Sequence, residues 1–209
     1  MLFDDMAVVG NAADVVGTKL GGSIDSHQVV LRINSYDVKS RPVDTGMRVD
    51  IVSLCFARFV VENALPFSSS QHMKVDHLMT PYPVGYHNME LVSAYMRRIG
   101  KRVDDLNFWI DGDGFWKEVG KYAERSDLYL GLDSERARIR PTTGLLSYLY
   151  IRRMRPNAKI TLYGFGLRNE KENPDRFDMS AVKMWEYHDL ALERSILQEE
   201  AKSGHCIIG

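Results

Sequence analysis

Short β-branched runs that break into glycine or asparagine, with helix-period stretches between them, constrain this chain most. Met6-Ala-Val-Val-Gly10-Asn11 is the first, the runs 28–34 and 49–54 follow, and Lys159-Ile-Thr-Leu-Tyr-Gly164 comes much later. Runs this short, bounded by turn residues, read as buried strands. Between Asn88 and Ile99, Leu91, Tyr95 and Ile99 recur at helical spacing, with Asn88 as cap and Gly100 as stop. Gly144 to Met154, carrying Leu145, Tyr148, Leu149 and Arg152, reads as a second helix placed directly before a parallel strand. Ser180 to Ala201, with Trp185, Leu192 and Ile196 on one stripe, reads as the last. The Pro- and Tyr-rich stretch 79–86 and the polar stretch 169–178 read as loops. Strand and helix alternating in this way predict an α/β protein, a Rossmann-like domain with a mostly parallel sheet flanked by helices. At 209 residues the expectation is a single domain over 1–209.

Composition narrows the partners. Hydrophobic residues at 44% and charged residues at 26% are ordinary for a globular chain, so disorder is not the starting point. A formal net charge of -1, with pI near 6.6, argues against a nucleic-acid binder that relies on general phosphate attraction. The expected ligand is small or sugar-like. No run reaches the roughly 20 apolar residues of a membrane helix, and the first residues lack the basic flank and apolar core of a signal peptide. Two cysteines, Cys55 and Cys206, are too few for a disulfide framework, although one pair could bridge. A reduced, cytoplasmic setting, with peripheral association at an inner membrane as a variant, is the simpler expectation. Cys206-Ile-Ile-Gly209 has the form of a prenylation box, but a terminal Gly and no basic run make it an ordinary tail.

The candidate site residues sit where strands end and helices begin. In open parallel sheets ligands gather outside the carboxyl ends of the strands, facing backbone N–H groups and helix N-termini. Gly10-Asn11 and Gly164-Phe165-Gly166 occupy such strand ends. Asn11 and Asn34 can each donate to a phosphate oxygen without adding charge, or simply cap a turn. Thr142, Thr143 and Gly144 present hydroxyls and backbone amides at a helix start, which suits a carboxylate and equally suits plain capping. His188 has the titration range of a general base, but beside an amphipathic stripe a histidine is more often packing. His72, Asp76, His77 and His87 match no common metal spacing and read as a solvated loop. Asp111-Gly-Asp-Gly114 reads as a turn, Arg136, Arg138 and Arg140 as an exposed edge, and Ser26 and His27 as structural. A nicotinamide-type dehydrogenase is disfavoured because Gly10 and Gly17 are wrongly spaced for the dinucleotide fingerprint.

Taken together, 7–50, 140–166 and His188-Asp-Leu-Ala-Leu-Glu193 resemble the large, small and last motifs of the eukaryotic-type sialyltransferases, glycosyltransferase family 29. The resemblance implies a variant glycosyltransferase A architecture and an inverting, metal-independent transfer of sialic acid from a CMP-activated donor to a glycan or lipo-oligosaccharide acceptor. No cofactor is called for. It implies that Gly10, Asn11 and Asn34 hold the nucleotide phosphate, Thr142, Thr143 and Gly144 the sugar carboxylate, and Gly164, Phe165 and Gly166 the cytidine. His188 would be the base, supported by Glu193. Because a CMP donor leaves as a monophosphate, a metal bridging two phosphates has less to do.

The same resemblance shows departures. The cysteines that the family's large and small motifs each carry, normally disulfide-bonded to one another, are absent: Met6 stands at the first position and the stretch 151–155 holds none. The family's short histidine-led aromatic motif is missing from 167–178, with Tyr86, His87 or an arginine as candidate stand-ins. The anchor and stem of Golgi members are also missing, so the chain resembles a minimal bacterial-type relative. Transfer of a Kdo or related keto-acid sugar for surface polysaccharide, or CMP-sugar binding without turnover, would call on the same receptors.

Overall fold

The structure is a computed structural model that describes residues 3–63, 65–108, 112–125, 141–167 and 188–209. Seven strands form one sheet among these residues: β1 (Asp5–Val9), β2 (Val29–Ile33), β3 (Ile51–Ser53), β4 (His77–Thr80), β5 (Leu106–Phe108), β6 (Lys159–Tyr163) and β7 (Ile207–Ile208). They lie in the order β5-β4-β3-β2-β1-β6-β7, and every neighbouring pair is parallel. The chain therefore builds outward from β1 to β5 and then returns to the other side of β1 for β6. That reversal is the topological switch point, where parallel sheets of this kind take their ligands.

The helices are α1 (Gly21–Ser26), α2 (Pro42–Thr45), α3 (Arg58–Asn63), α4 (Leu65–His72), α5 (Met89–Arg98), α6 (Gly112–Arg125), α7 (Thr143–Met154) and α8 (Leu190–Lys202). They cover both faces of the sheet, and the pleat decides which face each strand residue serves. Met6 and Val8 of β1 pack with Val29, Leu31, Ile160 and Leu162 beneath Phe115, Tyr122, Leu145, Tyr148 and Leu197 of α6, α7 and α8. Ala7 and Val9 point the other way, with Val30 and Tyr163, onto Ile24 of α1. Toward the far edge Val52 and Leu78 pack under Leu65, Val92, Tyr95 and Met96 of α4 and α5. Met6, at the position of a family cysteine, and Ile151, within the cysteine-free stretch, lie in the same apolar cluster. Cys55 and Cys206 are both buried free thiols, so the possible bridge is not formed.

Buried polar contacts fix the large block. Arg32 of β2 is 2% exposed, donates to the Arg48 and Thr45 carbonyls, and is pushed down to about 10 by burial. His27 bridges Asp5 and the Tyr163 hydroxyl at 2.9 and 3.1 Å, and the Ser26 hydroxyl returns to the Ser23 carbonyl, so both serve the scaffold. The sequence expectations for β1, β2, β3, β6, α5 and α7 are met within a residue or two, with Asn88 accepting from Glu90 and Leu91 as the α5 cap. Four readings are corrected. Met79 and Thr80, expected in a loop, end β4, since Leu78 and Met79 fill cores on opposite faces. Gly112-Asp-Gly114 opens α6 instead of making a turn, because Phe115, Val119 and Tyr122 place an apolar stripe on the sheet. The last helix, expected over 180–201, begins among the described residues at Leu190, with His188 and Asp189 outside it, because the Asp189 side chain caps it by accepting from Leu192 N–H. Finally, His72 and His87 do not belong to a solvated loop. His72 is 0% exposed, and His87 is half-buried among Phe56, Tyr82, Tyr86 and Phe108. Arg136, Arg138, Arg140, Asp111 and Trp185 fall outside the described residues.

Candidate active site

The two sequence blocks meet backbone to backbone at the switch point. Gly10 N–H donates to the Tyr163 carbonyl at 2.8 Å, and Ala12 N–H to the Gly164 carbonyl at 2.9 Å. A Cβ on Gly10 would sit 2.4 Å from the Gly164 oxygen, and one on Gly164 2.7 Å from the Gly10 oxygen. Only glycine allows this crossing, and Gly164 (φ 68°) and Gly166 (φ 69°) also need the left-handed region. Phe165 lies between the blocks. Its ring would meet a Cβ on Gly10 at 3.4 Å and one on Gly144 at 3.0 Å, so it forms a wall shared by β1, β6 and the start of α7.

At that start Thr142 is the N-cap, its hydroxyl accepting from Leu145 N–H. Thr142 is also gripped from behind: its N–H donates to Glu193 Oε1 and its hydroxyl to Glu193 Oε2, both at 2.6 Å. The donors of Thr142 are thus engaged by protein. The N–H groups of Thr143 and Gly144 take no partner among the described residues and lie at the positive end of a helix dipole. Thr143 is held sideways, its hydroxyl 3.2 Å from the Tyr82 hydroxyl and its carbonyl accepting from Ser147, which in turn meets Ser53 of β3 at 2.7 Å.

The asparagines separate in role. Both hydrogens of the Asn11 amide are engaged, by the Ile33 carbonyl at 3.1 Å and the Ser35 carbonyl at 2.8 Å. Asn11 therefore ties the end of β1 to the end of β2. Asn34 is held at φ 50° with its Oδ1 accepting from Cys55 N–H at 2.7 Å, while its amide nitrogen takes no partner among the described residues. Of the two, Asn34 has the free donor.

His188 is half-buried and stands one residue before the Asp189 cap of α8. Tyr122 clamps that start: its hydroxyl accepts from Asp189 N–H at 2.8 Å and donates toward the Asp189 carbonyl at 3.1 Å and Glu193 Oε1 at 3.3 Å. Glu193 is buried, and burial raises its carboxyl to about 7 against the hydrogen bonds from Thr142 and Tyr122 that favour its charged form. Among the described residues its partners are Thr142 and Tyr122, so it joins the start of α8, and with it His188, to the start of α7. This is support through the backbone. His87, one candidate stand-in for the missing histidine, is pushed down to about 4 by burial and bonds to Thr80 at 3.1 Å, so near neutrality it is uncharged. Tyr86, a second candidate, stacks on Tyr82 at 4.6 Å. Residues 168–178 lie outside the described residues. Sequence reasoning missed Tyr122 and Tyr82, whose signal was only their helical or loop placement.

Fold and switch point define a class: parallel α/β domains that receive a ligand where the strand order reverses. The chain belongs within it to glycosyltransferase family 29, the sialyltransferases, whose family model matches residues 3–205, and it is a glycosyltransferase. The fold is similar to that of the crystal structure of a mammalian sialyltransferase, with TM-score 0.65 and 18% identity over 98% of this chain and 68% of that one. It is equally similar to a mammalian sialyltransferase in complex with Gal-beta-1-3GalNAc-ortho-nitrophenol, with TM-score 0.65 and 19% identity over the same shares of the two chains. No curated protein sequence matches the chain. No helix among the described residues is long and apolar enough to cross a membrane.

Proposed function

We propose that this glycosyltransferase moves a sialic acid from CMP-sialic acid to a glycan hydroxyl with inversion and without a metal. The observation that carries the reading is the make-up of the switch point. The open N–H groups of Thr143 and Gly144 lie across the Phe165 ring from Gly10, so an anion receptor and an apolar wall share one switch point. The sugar carboxylate fits the α7 N-terminus, Asn34 donates to the phosphate, and the cytidine packs on Phe165 and the Gly164–Gly166 backbone.

The chemistry then requires one proton acceptor. As the bond between the anomeric carbon and the phosphate oxygen breaks, its electron pair leaves with CMP. The acceptor oxygen forms the new bond to that carbon from the opposite side, and its proton passes to the His188 imidazole. Tyr122 and Glu193 hold His188 at a fixed place relative to Thr143. A monophosphate leaving group offers no diphosphate for a cation to bridge, so the charge is met by amide and backbone donors. Acceptors of this class are glycans, including lipo-oligosaccharide at an inner membrane surface.

The test is CMP release and product formation from CMP-sialic acid and CMP-Kdo against a panel that includes galactosyl-N-acetylgalactosamine glycosides. Transfer from CMP-sialic acid, lost in His188→Ala, is the expected result. Transfer only from CMP-Kdo overturns the choice of sugar, full activity in His188→Ala overturns the base, and CMP binding without turnover across the panel points to a binding protein.

A further inference from the structure

One buried histidine lies outside the reaction as drawn, yet it touches the site. His72 ends α4 and is fully buried. Its Nε2 is 2.9 Å from the Asn34 carbonyl oxygen and its Nδ1 2.5 Å from the Tyr95 hydroxyl. A carbonyl can only accept, so Nε2 carries the proton, and Nδ1 is left to accept from Tyr95. One tautomer satisfies both ends. Burial pushes the ring down to about 4, so it stays neutral in this form across the physiological range. The rings of Tyr36 at 5.4 Å and Tyr95 at 6.1 Å flank it.

What His72 grips is a residue in an unusual conformation. Asn34 has φ 50°, a left-handed position that asparagine tolerates better than most residues. Its N–H donates to the Ser53 carbonyl at 2.8 Å, its side-chain oxygen accepts from Cys55 N–H, and its carbonyl accepts from His72. The one polar group left over is the amide nitrogen, which is not sealed in the core.

We propose that His72 is a positioning residue for the donor: by holding the Asn34 carbonyl it fixes the left-handed turn that presents the Asn34 amide nitrogen to the nucleotide phosphate. This rests on the reading of Asn34 as a phosphate ligand. His72 itself touches no substrate, and its effect passes wholly through Asn34.

Calorimetric titration of CMP separates the two ideas. Glutamine at 72 places its amide nitrogen near the reach of Nε2, whereas asparagine falls short of the Asn34 carbonyl. In Asn34→Gly the left-handed backbone is kept and the amide is lost. Asn34→Gly is expected to weaken CMP about tenfold, His72→Asn by a similar factor, and His72→Gln by no more than about twofold. In the Asn34→Gly background, His72→Asn is expected to add nothing. Wild-type affinity in Asn34→Gly overturns the phosphate role and the His72 proposal with it. Weakening in Asn34→Gly but not in His72→Asn overturns the His72 proposal alone, as do equal losses in both His72 variants or a further loss in the double variant. Should neither His72 variant fold, Tyr95→Phe frees the outer end of the ring and is expected to weaken CMP about threefold, and unchanged affinity there overturns the proposal.

Discussion

Replacing Glu193 with glutamine should remove from the protein's stability one contribution that falls as pH rises. In the folded chain the carboxyl is raised to about 7 from its ordinary 4.5, chiefly by burial. Between those values the folded state keeps a proton that the unfolded state has released. Stability therefore falls as pH rises from about 4.5 to about 7 and is flat above, with a total of about 3 kcal/mol at about 1.4 kcal/mol per pH unit. Glutamine has no such proton to lose. Its side-chain oxygen can still accept from Thr142 N–H and Tyr122, and its amide can donate to the Thr142 hydroxyl. His72 and His87, both pushed down to about 4, act in the opposite sense, adding stability as pH rises toward about 6.5. Wild type alone would mix these slopes, whereas the difference between wild type and Glu193→Gln isolates one. Urea unfolding followed by circular dichroism at constant ionic strength is the assay. The variant should gain about 2.5 kcal/mol on wild type between about pH 5 and about pH 8. A difference that does not change with pH would refute the buried-carboxyl argument.

Other expectations follow from the same contacts. Gly10→Ala drives a Cβ against the Gly164 carbonyl, so thermal melting should show a loss of at least about 2 kcal/mol and calorimetry a loss of CMP binding. A fully stable Gly10→Ala protein would contradict the backbone crossing. Tyr122→Phe releases the start of α8, so kcat should fall at least about fivefold with donor KM nearly unchanged, at a stability cost of about 1 kcal/mol. A change confined to donor KM would mean that Tyr122 serves the nucleotide and not His188.

The strand and helix pattern made the centre of the fold legible, because β1, β2 and β6 are short, mostly apolar runs broken by glycine or asparagine and α5 and α7 carry their own caps. The edges were not legible. β5 and β7 have three and two residues, too short to show a period, and they exist because a neighbouring strand offers unpaired backbone. In the site, the glycines spoke plainly, since close approach and positive φ leave no other residue. Amides and hydroxyls did not: Asn11 and Thr142 have the right chemistry, but their donors face protein, and only coordinates distinguish that from a donor facing a ligand. His72 shows the reverse. It reads as part of a polar histidine cluster and is in fact sealed between Tyr36, Tyr95 and Asn34.

The central claim is that two segments far apart in sequence build one donor site. Calorimetry of CMP-sialic acid without acceptor tests it most directly, comparing wild type with Asn34→Gly from the first segment and Thr143→Pro from the second, proline at this first helical position removing the N–H while keeping the helix start. Each change is expected to weaken the donor about five- to tenfold. CMP lacking the sugar should be weakened by Asn34→Gly and bind Thr143→Pro almost as it binds wild type. Unchanged donor affinity in either single variant would contradict the shared site.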